Sequence, residues 1–441
     1  MLINTVLYKI QNLMNNVYEK SFVLKKIDTL IFINIIFIII SSAFLQSDCI
    51  GYFAIFLIIL SVIKLLTKKG CHFDLTTAEK FLLLYFLIVL ISVAGSTLLM
   101  LSIKGFCKTL IYLGFYVSVV HYLKDNINKL KYIFLAIAMT VFAETFVAIK
   151  QNFLSVSEIA GWQDMSRLNP EEVMTRVYGT LKPYNPNLFG GYLLATIPSA
   201  LVLVFIPLIN KHKKTALYGF LMFLFAITSI VLTGCRGAYL GLFAQLLLLA
   251  ILTYHLLKPV YKKVFLFFSG VFALLSSLVI VSITSIRARI FSIFAMRNDS
   301  SNSFRFNVYN SCIEMFKDNW LLGIGVGNQN FREIYGLYMK TGFDALSAYN
   351  IYLEIAVESG VFALLAFLLF LFFNIKKAVY YITHYKNANT IYLGIALISI
   401  VGMLVHGLVD TVFFRPQIQF IFWIMIAVIR VITSSRSSYV K

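Results

Sequence analysis

Charge is scarce in this chain. Only 13% of its 441 residues are Asp, Glu, Lys or Arg, and just 19 are acidic. A soluble domain carries about 25% charged residues, so a water-facing surface is excluded for most of the polypeptide. The five cysteines (Cys49, Cys71, Cys107, Cys235 and Cys312) are odd in number, scattered and without C-x-x-C spacing. That excludes a disulfide framework and a cysteine-based metal site. The six histidines are equally dispersed, so neither a metal nor a cofactor is expected. No cleavable signal peptide is recognisable.

What is present is apolar. The chain is 60% hydrophobic, and its mean hydropathy is +0.85. Runs of roughly twenty apolar residues recur, each long enough to cross a hydrocarbon core of about 30 Å. The sequence reads as an all-α polytopic membrane protein, one integral-membrane domain over residues 1–441. About twelve spans are expected, near 28–46, 49–66, 79–100, 104–123, 130–149, 187–209, 217–234, 238–257, 263–283, 350–373, 391–410 and 416–433. Within 1–27, Leu2, Val6, Leu7, Ile10, Leu13, Met14 and Val17 share a helical face. This fits an amphipathic helix on the membrane surface; a frayed tail is the alternative.

Lysines crowd the N-terminal tail and then every second connection: Lys68 and Lys69, Lys124 and Lys129, Lys211 and Lys213, Lys258 and Lys262, Lys376 and Lys377. By the positive-inside rule these are cytoplasmic, and both termini with them. The formal net charge of +19 therefore reports topology. No nucleic-acid fold signature accompanies it; the bilayer, not nucleic acid, is the expected partner.

Arginine is distributed differently. Arg167, Arg176, Arg236, Arg287, Arg289, Arg297, Arg305, Arg332 and Arg415 all fall on the external side, against Arg430 and Arg436 inside. The guanidinium fork suits bidentate grip on phosphate or carboxylate, so an external anionic ligand is one reading and ordinary surface charge in long loops the other. Two external loops are long, about 150–186 and 284–349. "NPEE" at 169–172 looks like a helix start, and "SFRFNVYNSCIEMFKDNW" has an amphipathic helical pattern.

Ionisable residues inside spans are functional candidates by default. Glu144, Lys108, Glu354 and Glu358, and His406 and Asp410 all fall toward the external ends of their spans. Their common depth fits a lipid-linked substrate better than a midplane transport site built on repeated halves.

The order of motifs then becomes specific. "LTGCRGAYLG" at 232–241 precedes a large external loop with "RNDSSNSFRFNVYNSCIEMFKDNWLLGIGVGN", followed by "SAYNIYLEIAVESG", and "YNPNLFGGYLL" stands at 184–194. Over roughly 180–375 this resembles the O-antigen ligase and polymerase superfamily. "HGLVDTVFFRPQ" at 406–417 is similar to its inorganic-carbon (bicarbonate) transporter-like branch. The resemblance implies transfer of a glycan from a polyprenyl pyrophosphate to a hydroxyl acceptor, without a metal, at the outer face of the cytoplasmic membrane. It implies that Arg236 and Arg305, with Arg415 as a branch feature, hold the pyrophosphate.

Where the family presents a histidine before the tenth span, this chain has Tyr349, followed by Asn350. A phenol with a pKa near 10 is a poor base at neutral pH, so Glu354, Glu358, His406 or Asp410 is expected to take over. Gly323, Gly325 and Gly327 follow no strand and miss G-x-G-x-x-G spacing, so they mark a tight backbone turn, not a dinucleotide site. Two other readings stay open: an anion transporter or its regulator, and a scaffolding subunit of an envelope-polymer export system.

Overall fold

The computed structural model describes residues 2–70, 74–153 and 174–434. The "NPEE" helix start, Arg167, Cys71 and Arg436 lie outside them. Among the described residues there is no strand, and twelve helices are long and apolar enough to cross a membrane. They run Ile27–Phe44, Ser47–Thr67, Thr77–Ala94, Leu99–Asp125, Ile127–Asn152, Pro186–Ile209, Lys213–Leu232, Arg236–Leu256, Pro259–Ser282, Ile351–His384, Ala388–His406 and Pro416–Ser434. The expected spans agree to within a few residues at most ends. The tenth is the exception, continuing eleven residues beyond 373 through Lys376 and Lys377. Its inner end keeps helical hydrogen bonds after the apolar run stops, where hydropathy gives no signal.

Local chemistry sets the ends. Thr76 and Glu79 form a reciprocal capping box at the third span, and Asn387 with Thr390 does the same at the eleventh. Asn185 caps the sixth span, with Pro186 in the first turn, and Asn350 caps the tenth. Each satisfies amide donors that a helix start leaves unpaired. The helix Leu2–Lys20 lies before the first span and is tied to the second by the Gln11 side chain, which donates to the Leu65 carbonyl at 2.9 Å.

The twelfth span is the pole of the bundle. Gln417 through Ile432 are all buried, and the helix packs against the first, second, fourth, sixth, tenth and eleventh spans. Near its inner end Arg430 is held by Glu79 and Asp74, each at 2.9 Å, so the one cation in this helix is fully paired. The ninth span is the opposite case: none of its residues is buried, and it packs only at the edge of the bundle, against the eighth span and the helix that follows it. Twelve crossings place the long connections on the face opposite the lysine-rich one. The second of these loops folds into short helices, Thr284–Phe291, Ser300–Asp318 and Asn328–Tyr335. The latter two share a small core of Val308, Cys312, Met315, Phe331 and Tyr335.

Candidate active site at the external face

The tenth span is broken where it matters most. Gly360 has φ +80° and ψ 173° inside an otherwise helical run, a region that is essentially glycine-only. The break frees buried backbone groups, and in a membrane each must find a partner. The glycine-rich segment supplies them. Ile324 and Gly325 amides donate to the Val357 and Glu358 carbonyls at 3.0 and 2.9 Å, and the Val361 amide donates to Trp320 at 2.9 Å. The Ser92 hydroxyl adds a second donor to the Glu358 carbonyl at 2.8 Å. A Cβ at Gly323 would overlap the backbone of Glu358 and Ser359, and one at Gly360 the Leu321 carbonyl. These glycines therefore permit close backbone pairing.

The pairing fixes two carboxylates. The Gly327 amide donates to Glu358 Oε1 at 3.0 Å, and the Ala348 amide to Glu354 Oε2 at 3.0 Å. Among the described residues neither has a cation partner, and each keeps its other oxygen unbonded. Both line a cavity of about 990 Å³ that opens on the face opposite the lysines. Lys104, Lys108 and Arg415 stand in its outer part, and Tyr85, Phe86, Tyr112, Phe367, Phe420 and Trp423 line its depth. Lys104 and Lys108 sit one helical turn apart at the outer end of the fourth span. Among the described residues none of the three cations is in an ion pair. A second cavity of about 160 Å³, lined by Asp74, Glu79 and Tyr116, shares Leu82 with the first. Leu82 is buried and lines both.

Behind the cavity wall runs a polar chain. Asp410 Oδ1 accepts the Thr411 and Val412 amides at 2.8 and 3.1 Å. Its Oδ2 takes Asn187 Nδ2 at 3.2 Å and Arg305 Nη2 at 3.4 Å. The Asn187 carbonyl oxygen in turn accepts from Arg176 Nη2 at 2.7 Å. Arg305 also lies over the Tyr349 ring, 5.7 Å from its centroid. Tyr349 itself has φ +50°, uncommon for an aromatic residue. Burial, then Asp410, pushes its phenol above its ordinary pKa despite Arg305.

The cavity thus gathers Glu354, Glu358, Tyr349, Asp410, Arg415 and Gly327 from the expected set. Arg305 touches it from behind Asp410. Asn350 is a cap, accepting from the Tyr352 and Leu353 amides while donating to the Leu408 carbonyl. His406 is buried outside the lining, 3.6 Å from Cys235 Sγ. Arg236 is likewise outside it, paired with Asp299 at 2.8 Å and donating to Ser292 at 3.2 Å. Glu144 holds the Thr180 amide at 3.0 Å and the Thr180 hydroxyl, so it anchors the first long loop. Lys108 was a candidate only by its depth in the fourth span, and Lys104 and Asn187 were not among the expected site residues. The two lysines carried a signal, since they break the alternation of basic residues by standing at an outer end.

Part of the chain matches a known family. Residues 221–368 match the O-antigen ligase family. No curated protein matches the chain. The match supports a glycan-processing role in a membrane, and the bicarbonate-transporter branch receives no support from it. The O-antigen ligase-like segment contains Arg236, Arg305, the three glycines, Tyr349, Asn350, Glu354 and Glu358. Lys104, Lys108, Asn187, Asp410 and Arg415 reach the cavity from outside it.

Arg236 gives a direct test of anchoring. Asp299 caps the helix Ser300–Asp318 by accepting from Asn302, so Arg236 links the eighth span to the external loop. Hydrogen bonds to charged groups contribute about 1.5–3 kcal/mol. Arg236→Ala and Asp299→Asn should both speed proteolysis between residues 284 and 304 in membrane vesicles. If only Arg236→Ala lowers activity and neither changes cleavage, Arg236 is a ligand-binding group instead.

Proposed function

We propose that this protein transfers or polymerises a polyprenyl-pyrophosphate-linked glycan at the external face of the cytoplasmic membrane. The observation that carries the reading is the cavity itself, with unpaired cations outside, two cation-free carboxylates in its wall and an aromatic depth. Lys104, Lys108 and Arg415 receive the pyrophosphate, and the apolar depth receives the carrier's first isoprene units. Arg305, fixed behind Asp410, adds positive potential.

In the reaction the acceptor hydroxyl oxygen forms a bond to the anomeric carbon while the bond from that carbon to the pyrophosphate oxygen breaks. The electron pair leaves with the pyrophosphate, whose growing charge the cations stabilise. The hydroxyl proton passes to a carboxylate, Glu358 being the better placed because its amide partner Gly327 packs on Gly105, between Lys104 and Lys108, where the pyrophosphate is held. Tyr349, Asp410 and His406 are less suited. The first is a protonated phenol, the second already accepts four hydrogen bonds, and the third is outside the cavity.

The test is transfer from a polyprenyl-pyrophosphate oligosaccharide by purified protein, alongside glycan profiles of a deletion strain complemented with each variant. Arg415→Ala, and Lys104→Ala with Lys108→Ala, should each lower kcat/KM by about tenfold or more, because a charge-assisted contact to phosphate is lost. An unchanged glycan profile on deletion, with a growth defect relieved by bicarbonate, overturns the reading.

A further inference from the structure

Three guanidinium groups converge on one backbone turn that the cavity does not include. The turn is 233–236, in "LTGCRG", with Gly234 at φ +58°. Arg176 Nε donates to the Thr233 carbonyl at 2.9 Å and Arg289 Nε to the Gly234 carbonyl at 2.8 Å. Arg236 begins the eighth span in the same turn. Among the described residues Asp299 is the one acid in ion-pair contact with any of the three, and it faces Arg236. Arg176 and Arg289 have no acidic partner among the described residues, and each keeps further N–H donors free on the two terminal nitrogens. The electrostatics agree with an unneutralised cluster. Burial and then Arg289 bring Arg176 down to about 10, and burial and then Arg236 lower Arg289. Burial raises the Cys235 thiol, but His406 and Arg176 outweigh it and hold the thiol below its usual value.

A fork whose Nε is spent on a carbonyl still presents terminal N–H groups to an oxyanion. Two such forks on adjacent carbonyls make a pair of donors with an excess of positive charge. We propose that Arg176 and Arg289 form a second anion-binding site at the 233–236 turn, which takes a phosphate or carboxylate group of the acceptor glycan. The site is separated from the cavity by Asn187 and Asp410, with Arg176 on one side of Asn187 and Asp410 on the other. Naming the acceptor rests on the glycan-transfer reading; the anion site does not. The geometry places a donor pyrophosphate and an acceptor anion on opposite sides of one polar wall, which keeps their charges apart.

The experiment uses purified wild-type protein and phenylglyoxal, which modifies free guanidinium groups, read by peptide mass spectrometry. Inorganic phosphate should protect Arg176 and Arg289 together, and an acidic oligosaccharide containing uronate should do the same. Geranyl pyrophosphate should leave their labelling unchanged while protecting Arg415. Labelling of Arg176 and Arg289 that phosphate does not alter, or no labelling at all, overturns the anion site. Protection by geranyl pyrophosphate moves the site to the donor and overturns the acceptor assignment alone.

Calorimetric titration with inorganic phosphate gives the second readout. Arg176→Gln with Arg289→Gln should weaken one class of binding by about tenfold, and Lys104→Gln, Lys108→Gln and Arg415→Gln the other. A single class, lost only in the triple variant, overturns the second site. Failure of the transfer assay with two intact classes would instead sink the glycan reading.

Discussion

Glu358→Gln should leave the protein folded and inserted while lowering glycan transfer by about a hundredfold or more. General-base assistance contributes about 10²–10⁴, and the amide cannot take the acceptor proton. Folding should survive because Gln keeps a carbonyl oxygen to accept the Gly327 amide, now 3.0 Å from Glu358 Oε1. The discriminating readout is the split between kinetic constants: kcat should fall while KM for the lipid-linked donor changes little. Glu354→Gln keeps the Ala348 contact in the same way and should cost less. Equal losses in the two variants would assign the proton to a shared pair. Normal transfer by Glu358→Gln would remove carboxylate catalysis from the proposal.

Gly360→Ala should do something different: abolish the site by undoing the backbone that carries it. The added methyl meets the Leu321 carbonyl, at a φ of +80° that side chains rarely adopt. Strain of about 1–3 kcal/mol adds to the loss of the Val361 to Trp320 hydrogen bond and its neighbours, each about 1 kcal/mol. We expect a destabilisation of more than about 3 kcal/mol, seen as a lowered unfolding temperature and a poor monodisperse yield in detergent. Ala at the nearby Gly394, whose Cβ would meet only Leu252 at 3.7 Å, is the control and should be tolerated. A stable Gly360→Ala protein would mean the helix can run through this point unbroken.

How much of this was legible in the sequence follows from range. Span positions depend on local hydropathy and length, which is why twelve windows could be placed, most of them to within a few residues of their observed ends. The break at Gly360 depends on Leu321, Ile324 and Gly325, some forty residues away, and a lone glycine within "VESGVF" carries no local sign of it. Glu354 and Glu358 were visible as charges where charge is costly. That they share a wall with Lys104 and Arg415 is a product of packing between the third, fourth, tenth and twelfth spans, which no periodicity records. Arg236 shows the limit from the other side. Its isolation between two apolar runs was plain, but Asp299, the acid that answers it, lies in a loop whose fold could not be placed from sequence. Asn187 was quoted within its motif, yet its bridging of Arg176 and Asp410 needs three distant segments at once.

The central pole has a consequence for synthesis. Gln417 through Ile432 fill the middle of the bundle, and this helix leaves the ribosome after the eleven other spans. Until it arrives, the first, second, fourth, sixth, tenth and eleventh spans surround a gap, and Asp74 and Glu79 await Arg430. Asp74 and Glu79 therefore stand without Arg430 through most of translation, and the bundle closes around its last span in one late event. Such a chain depends on whatever shields polar groups and helix faces in the bilayer during that interval, and a ribosome stalled before residue 416 would present quality control with a hollow product.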